Sequence, residues 1–125
     1  MSNILSIDWG SKHIGLAYAD SDRKIPMPLT RLSNSGSVIF DIASIIQEKT
    51  ISSIVVWYPT QNEYIQSRID KFISELSMID TDIEISKIDE DYTSIEAKAV
   101  LGDTEKTYDT DIIAAMKILE RYFKW

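Results

Sequence analysis

The spacing of hydrophobic residues changes along this chain, and each change marks an element. Over Ile4–Asp20 (ILSIDWGSKHIGLAYAD) the apolar residues Ile4, Leu5 and Ile7 come first. Ile14, Leu16 and Tyr18 then alternate with the small residues Gly15, Ala17 and Ala19. Alternation at period two predicts a strand. The stretch therefore reads strand, tight turn, strand, with Gly10 and Ser11 in a hairpin loop of about five residues. Ser21–Lys24 is a polar turn. Ile25–Leu32 predicts a third strand, which Pro26 and Pro28 confine to an edge or a short piece. After the loop Ser33–Ser37 the spacing becomes three and four. Val38, Ile39, Ile42, Ile45 and Ile46 make the buried stripe of a helix over Val38–Lys49, with Asp41 early and Lys49 late, as the helix dipole favours. Ile51–Tyr58 is a short, continuous, β-branched apolar run stopped by Pro59, the pattern of a strand covered on both faces. Gln61–Leu76 predicts a second helix, with Ile65, Ile69, Phe72, Ile73 and Leu76 on one face. Asp82–Ile88 alternates again as a fifth strand. Thr93–Leu101 predicts a short helix with Glu96 placed for a capping box and Gly102 to stop it. A last helix begins at Thr107 or Asp109 and runs to Tyr122 or beyond.

The order is therefore β-β-β-α-β-α-β-α-α, an antiparallel meander followed by alternating strands and helices. That order predicts an α/β sandwich. With 125 residues, no internal repeat and no linker, the chain reads as a single domain over 1–125.

Three acidic positions stand where these patterns break. Asp8 ends an apolar strand, at the lip of a core, where a carboxylate is costly unless something binds it. A metal ion, a helix amino end or a lysine would serve; the acid can also simply cap its own turn. Asp89, Glu90 and Asp91 cluster at the end of the fifth strand. Asp111 heads the stripe Ala114, Ala115 and Ile118, so it points toward the sheet, and the two alanines would let the helix approach closely. It is equally a first-turn acid of the kind the dipole stabilises. Ligands collect at the carboxyl ends of parallel strands. If the first and fifth strands lie near each other, Asp8, Glu90 and Asp111 converge, with Asp89 either supporting Glu90 or itself a ligand. Oxygen donors of this kind suit Mg²⁺ or Mn²⁺. Two such ions about 3.5–4 Å apart can activate a water and steady the leaving oxygen of a phosphodiester.

The same positions carry a family resemblance. Asp8, Gly10, Lys12, Ile14 and Gly15 fit D-x-G-x-K-x-I-G. Asp89–Ala97 (DEDYTSIEA) is similar to D-E-R-L-T-T-x-E-A, and Thr110–Leu119 (TDIIAAMKIL) to V-D-A-I-A-A-x-x-I-L. Taken in this order the segments resemble the YqgF/RuvX family of the RNase H-like superfamily. The resemblance implies an RNase H-like α/β fold, a mixed five-stranded sheet with helices on both faces. It also implies a metal-dependent endonuclease using Mg²⁺ or Mn²⁺ at Asp8, Glu90 and Asp111. The substrate it implies is structured nucleic acid, either RNA at the 5′ end of pre-16S ribosomal RNA or branched DNA at a Holliday junction. Symmetrical junction cleavage would favour a homodimer. Lys12 is the phosphate candidate. His13, at a family arginine position, is a turn residue or a weak phosphate contact. The chain departs from the family pattern at Trp9 (family Pro), His13, Asp91 (family Arg) and Trp57-Tyr58-Pro59 (family G-x-P), and the loop Thr60–Glu63 lacks glycine.

Composition narrows these readings. The chain has no cysteine, which excludes disulfides, thiolate metal sites and cysteine nucleophiles. No apolar run approaches a membrane span and no signal segment precedes the first strand, so the expectation is a cytoplasmic protein without a membrane partner. The net charge of −7 runs against polyanion binding unless a local basic patch offsets it. That charge favours a competing class, a non-catalytic RNase H-like module binding nucleic acid or protein. An actin-like phosphotransferase shares the opening hairpin but needs a second domain. Asp103 and Glu105 read as a solvated loop. Tyr122, Phe123 and Trp125 read as packing for the last helix or for a partner.

Overall fold

The computed structural model describes residues 2–79, 82–89 and 109–123. Its elements are β1 (Asn3–Asp8), β2 (His13–Asp20), β3 (Met27–Ser33), α1 (Val38–Glu48), β4 (Ile51–Tyr58), α2 (Glu63–Ser77), β5 (Glu84–Asp89) and α3 (Thr110–Tyr122). They form one five-stranded sheet in the order β3-β2-β1-β4-β5. β2 runs antiparallel to both β1 and β3, while β4 runs parallel to both β1 and β5. The expected mixed sheet with helices on both faces is what forms.

Strand alternation divides the side chains into two unequal layers. Leu5, Ile7, Ile14, Leu16, Ile54 and Val56 pack with Val38, Ile42 and Ile46 of α1 and Ile69, Phe72 and Leu76 of α2. Each of these large side chains contributes about 1.5–3 kcal/mol by leaving water. The other face is built of smaller residues: Ala17, Ala19 and Val55, with Ile4, meet Ala115, Ile118 and Leu119 of α3. Small residues on both sides bring this helix close to the sheet.

The boundaries shift for local reasons. β3 begins at Met27, not Ile25, and Ile25 is exposed. Pro28 enters this edge strand opposite Ala17, beside an irregularity in the register that tolerates its missing donor. α2 begins at Glu63 because Asn62 caps it, accepting the Ile65 N–H at 3.0 Å. α1 ends at Glu48, and the Lys49 ammonium lies 5.3 Å from the centroid of the Tyr18 ring. β5 begins two residues later than expected, at Glu84, and reaches Asp89. α3 begins at Thr110, capped by Asp109, whose side chain accepts the Asp111 N–H at 2.8 Å. The expected short helix Thr93–Leu101, with Glu90, Asp91, Asp103, Glu105 and Trp125, lies outside the described residues. Phe123 packs on the α3 layer, whereas Tyr122 is exposed. Among the described residues no helix is long and apolar enough to cross a membrane.

Thr50, just past the cap of α1, has φ 52°, the left-handed region that a β-branched residue enters at a cost. Glycine is the usual occupant of this position. Thr50→Gly should therefore raise stability by about 0.5–1 kcal/mol, the relieved strain exceeding the added chain entropy. A urea titration would check this; an unchanged or lower midpoint would show that the strain is not there.

Candidate active site at the carboxyl edge of the sheet

Because β1, β4 and β5 run parallel, their carboxyl ends share one edge of the sheet, marked by Asp8, Tyr58 and Asp89. Asp8 stands opposite Gly15 of β2, and Gly15 opposite Arg31 of β3. Residues directly opposed in antiparallel strands share a face. Asp8, Gly15 and Arg31 thus form a row across the sheet, on the side covered by α3.

The first turn of α3 rests on this row. A Cβ added at Gly15 would overlap the carbonyl oxygen and carbon of Asp111 and come within 3.0 Å of its Cβ. The absent side chain is what lets the Asp111 backbone sit on β2, beside the ladder partner of Asp8. Arg31 ties the same helix end to β3, its Nη1 3.0 Å from Asp109 Oδ2. One turn along, the fully buried Ser6 donates its hydroxyl to the Ala115 carbonyl at 2.6 Å. These contacts seat α3 at its capping residue, its first turn and its second turn. Asp8 and Asp111 are both partly exposed.

The structure thus brings the backbone of Asp111 onto Gly15, the ladder partner of Asp8. The reason differs in part from the one the sequence suggested. Ala115 is fully buried in the contact, but Ala114 is only half-buried; the sheet supplies the rest through Gly15, Ala17 and Ala19. β1 and β5 are not adjacent: β4 lies between them, so their ends are two strand spacings apart, about 10 Å. Asp89 ends β5 in register with Tyr58. Glu90 lies outside the described residues. Among the described residues no group of three or more His, Cys, Asp or Glu side chains could hold a metal ion.

Lys12 is exposed in the β1–β2 hairpin, and its carbonyl accepts the Asn34 N–H at 2.9 Å. Asn34 also donates its side-chain amide to the Gly10 carbonyl at 2.8 Å, which braces the hairpin against the loop after β3. His13 is the first residue of β2, opposite Ser33 and half-buried. Sequence reasoning missed Arg31. Nothing in an edge strand announces that one of its cations will hold the cap of a helix far along the chain.

On the opposite face of the same edge, Asp70 of α2 joins two strands. It accepts the Tyr58 hydroxyl at 3.0 Å and the Lys87 ammonium at 2.8 Å, and that ammonium lies 4.4 Å from the centroid of the Tyr58 ring. The Lys87 hydrogen bond holds the Asp70 carboxyl below its ordinary range, and the same bond raises Lys87. Desolvation, then the Asp70 hydrogen bond, raises Tyr58. A depressed carboxyl adds stability above its unfolded pKa of about 3.9, and that stability is lost as pH falls through the lower folded value. The raised Lys87 adds stability that is lost only above its unfolded value of about 10.4. Asp70→Asn should therefore cost less than about 1 kcal/mol at neutral pH, as for other solvent-exposed pairs, and should flatten the acid limb below pH of about 4. Urea midpoints from pH 2 to 7 would check this; an unchanged acid limb would count against it.

The RuvX family, described as a Holliday junction resolvase, matches this chain over residues 2–125. The chain belongs to that family. A relative from Malacoplasma penetrans is 35% identical, covering 97% of this chain and 93% of its own length. One from Sulfurihydrogenibium sp. is also 35% identical, covering 98% and 90%. Both carry the name "Putative pre-16S rRNA nuclease". Among solved structures, RuvC of T. thermophilus in complex with a Holliday junction substrate superposes with a TM-score of 0.69 at 9% identity, covering 99% of this chain and 95% of that one. The fowlpox virus Holliday junction resolvase gives 0.63 at 14%, covering 98% and 97%. At such identities the likeness is one of fold, and it places this RuvX member's sheet among those of the RuvC-like resolvases. The chemistry for which the family and its relatives are named is that of a nuclease, hydrolysis of phosphodiester bonds.

Proposed function

We propose that this RuvX-family chain is a metal-dependent endonuclease acting on structured nucleic acid, with its site at the carboxyl edge of β1. The observation that carries the proposal is the seating of the first turn of α3, at Asp111, on Gly15, the ladder partner of Asp8. Their carboxylates are hard oxygen donors, the class that suits Mg²⁺ or Mn²⁺. Asp8 and Asp111 would hold the ion together with Glu90 from the segment after β5, and Asp89 would either support Glu90 or ligate directly. Bound metal supplies an activated water and charge neutralisation at the leaving oxygen. The chain's own part is positional. Gly15, Arg31 and Ser6 hold α3 against the sheet, so that Asp111 keeps its place relative to Asp8. Lys12, at the solvent-exposed tip of the hairpin, is placed to meet a substrate phosphate, and His13 is a weaker contact at the base of the same turn.

The relatives' names favour pre-16S ribosomal RNA as the substrate, and the family's name favours branched DNA. Symmetrical cutting of a junction would call for a homodimer. A Mn²⁺-dependent cleavage assay on a panel of four-way DNA junctions and structured RNAs, including an RNA spanning the 5′ boundary of 16S, tests the proposal. Metal-dependent cleavage of one of these is the expected result. Binding without cleavage at any metal concentration would leave the non-catalytic module, which the net charge of −7 favours.

A further inference from the structure

Two cations near the carboxyl edge are neutralised by acids, Arg31 by Asp109 and Lys87 by Asp70. Arg68 of α2 is held in another way. Among the described residues no carboxylate lies within ion-pair distance of it. Its guanidinium carbon instead lies 5.6 Å from the centroid of the Trp9 ring and 5.6 Å from that of Tyr64, and Nη1 donates to the Tyr64 hydroxyl at 2.8 Å. Trp9 is buried in the layer beneath α1 and α2, so its ring is a fixed surface. Tyr64 and Arg68 are exposed.

The rings orient this cation without cancelling it. An aromatic face attracts a guanidinium through its quadrupole but carries no net charge, and the planar fork keeps most of its N–H donors. A carboxylate partner would have satisfied both charge and donors. The result is a pre-oriented, uncompensated positive charge on a chain of net charge −7. Its place matters as well. Trp9 immediately follows Asp8, so the clamp begins where the candidate site ends, and it continues the same edge round to the α2 face. Beside it, at the head of α2, a cleft of about 290 Å³ lined by Trp57, Gln61 and Asn62 among others opens along the strand ends. Trp9 stands where the family pattern has proline, so the clamp goes with this chain's own departure from that pattern.

We propose that Arg68, clamped between Trp9 and Tyr64, is a phosphate-binding point for the nucleic-acid strand where it crosses the carboxyl edge from the catalytic site toward α2. It rests on the nuclease reading above and adds, beyond Lys12, local positive charge for a polyanion on an otherwise acidic chain.

Binding is measured in chelator, so that no cleavage occurs, with a fluorescein-labelled four-way DNA junction and a fluorescein-labelled RNA hairpin with single-stranded flanks. Anisotropy is followed across a salt series. Loss of one phosphate contact should make Arg68→Ala bind about tenfold more weakly and lower the salt slope by about 0.9 or less. Arg68→Lys should keep most of the slope and lose part of the affinity, because an ammonium lacks the planar fork that can meet the rings, the Tyr64 hydroxyl and a phosphate together. Arg23→Ala removes an equal charge from the β2–β3 turn at the far end of the sheet and should bind as wild type. Arg68 is exposed, so all variants should melt as wild type. Wild-type affinity and slope in Arg68→Ala overturn the proposal, as does an equal loss in Arg23→Ala, which would show that net charge alone acts. A Lys variant with no loss at all overturns the clamp. If wild type cleaves with Mn²⁺ while Arg68→Ala binds unchanged, the nuclease reading stands and only this inference falls. If wild type neither binds nor cleaves, both fall.

Discussion

Asp8→Asn should lower the metal-dependent cleavage rate at least about a hundredfold, since even the partners that merely orient metal ligands are worth 10–100-fold. The substitution keeps the side chain's shape and removes its charge, so the fold should persist. A second measurement needs no substrate. Asp8 and Asp111, with Glu90 on the proposed reading, gather like charges that repel one another without metal. Removing one charge should leave the chelated protein melting at or above the wild-type temperature, provided the amide keeps the side chain's hydrogen bonds. Added Mg²⁺ or Mn²⁺ should then raise the wild-type melting temperature more than the variant's, because a ligand bound only by the folded state stabilises it. Equal metal-induced shifts would mean that Asp8 is no part of a metal site, whatever the cleavage assay gave. Glu90→Gln and Asp111→Asn should behave alike, and the three effects should not add if the residues act as one unit.

Gly15→Ala should cost about 1–3 kcal/mol or more, the range for overpacking, and should abolish the metal response as well. The added methyl meets the carbonyl of Asp111, which is backbone and cannot rotate aside. Either the amino end of α3 lifts or β2 bends, and in both cases Asp111 leaves Asp8. A matched control is Gly36→Ala, where a Cβ would meet nothing within 4 Å. Urea midpoints and metal-dependent melting shifts for the two variants would separate a local clash from a general intolerance of alanine. A Gly15→Ala protein with wild-type midpoint and metal shift would show that α3 is not seated on β2 at this residue.

These two residues also show how much of the site can be read from the chain. Asp8 is visible because a single acid interrupts an apolar strand, at the lip of a core where a carboxylate is costly unless something binds it. Asp111 is visible because it heads a stripe of helical period. Gly15 is visible only as one small residue in an alternating strand. Its role as the seat of α3 requires knowing which helix lies across it and at what height. Arg31 and Arg68 are less legible still: one is tied to a helix cap, the other to the ring that follows Asp8, and neither partner is near in sequence.

The chain by itself determined the element types, the edge position of β3, the unbroken run of β4 and the layering of large side chains on one face. These follow from period, proline chemistry and burial, which act within a few residues. It also carried the family pattern, which the comparisons bear out. Tertiary structure alone decided that β4 separates β1 from β5, that α3 lies on the small-residue face, and that Arg31 is neutralised by Asp109 while Arg68 rests between aromatic rings. The physical reason is that strand order and helix seating depend on contacts between surfaces distant along the chain. Local periodicity states which face of an element is apolar, but not which other face it will meet.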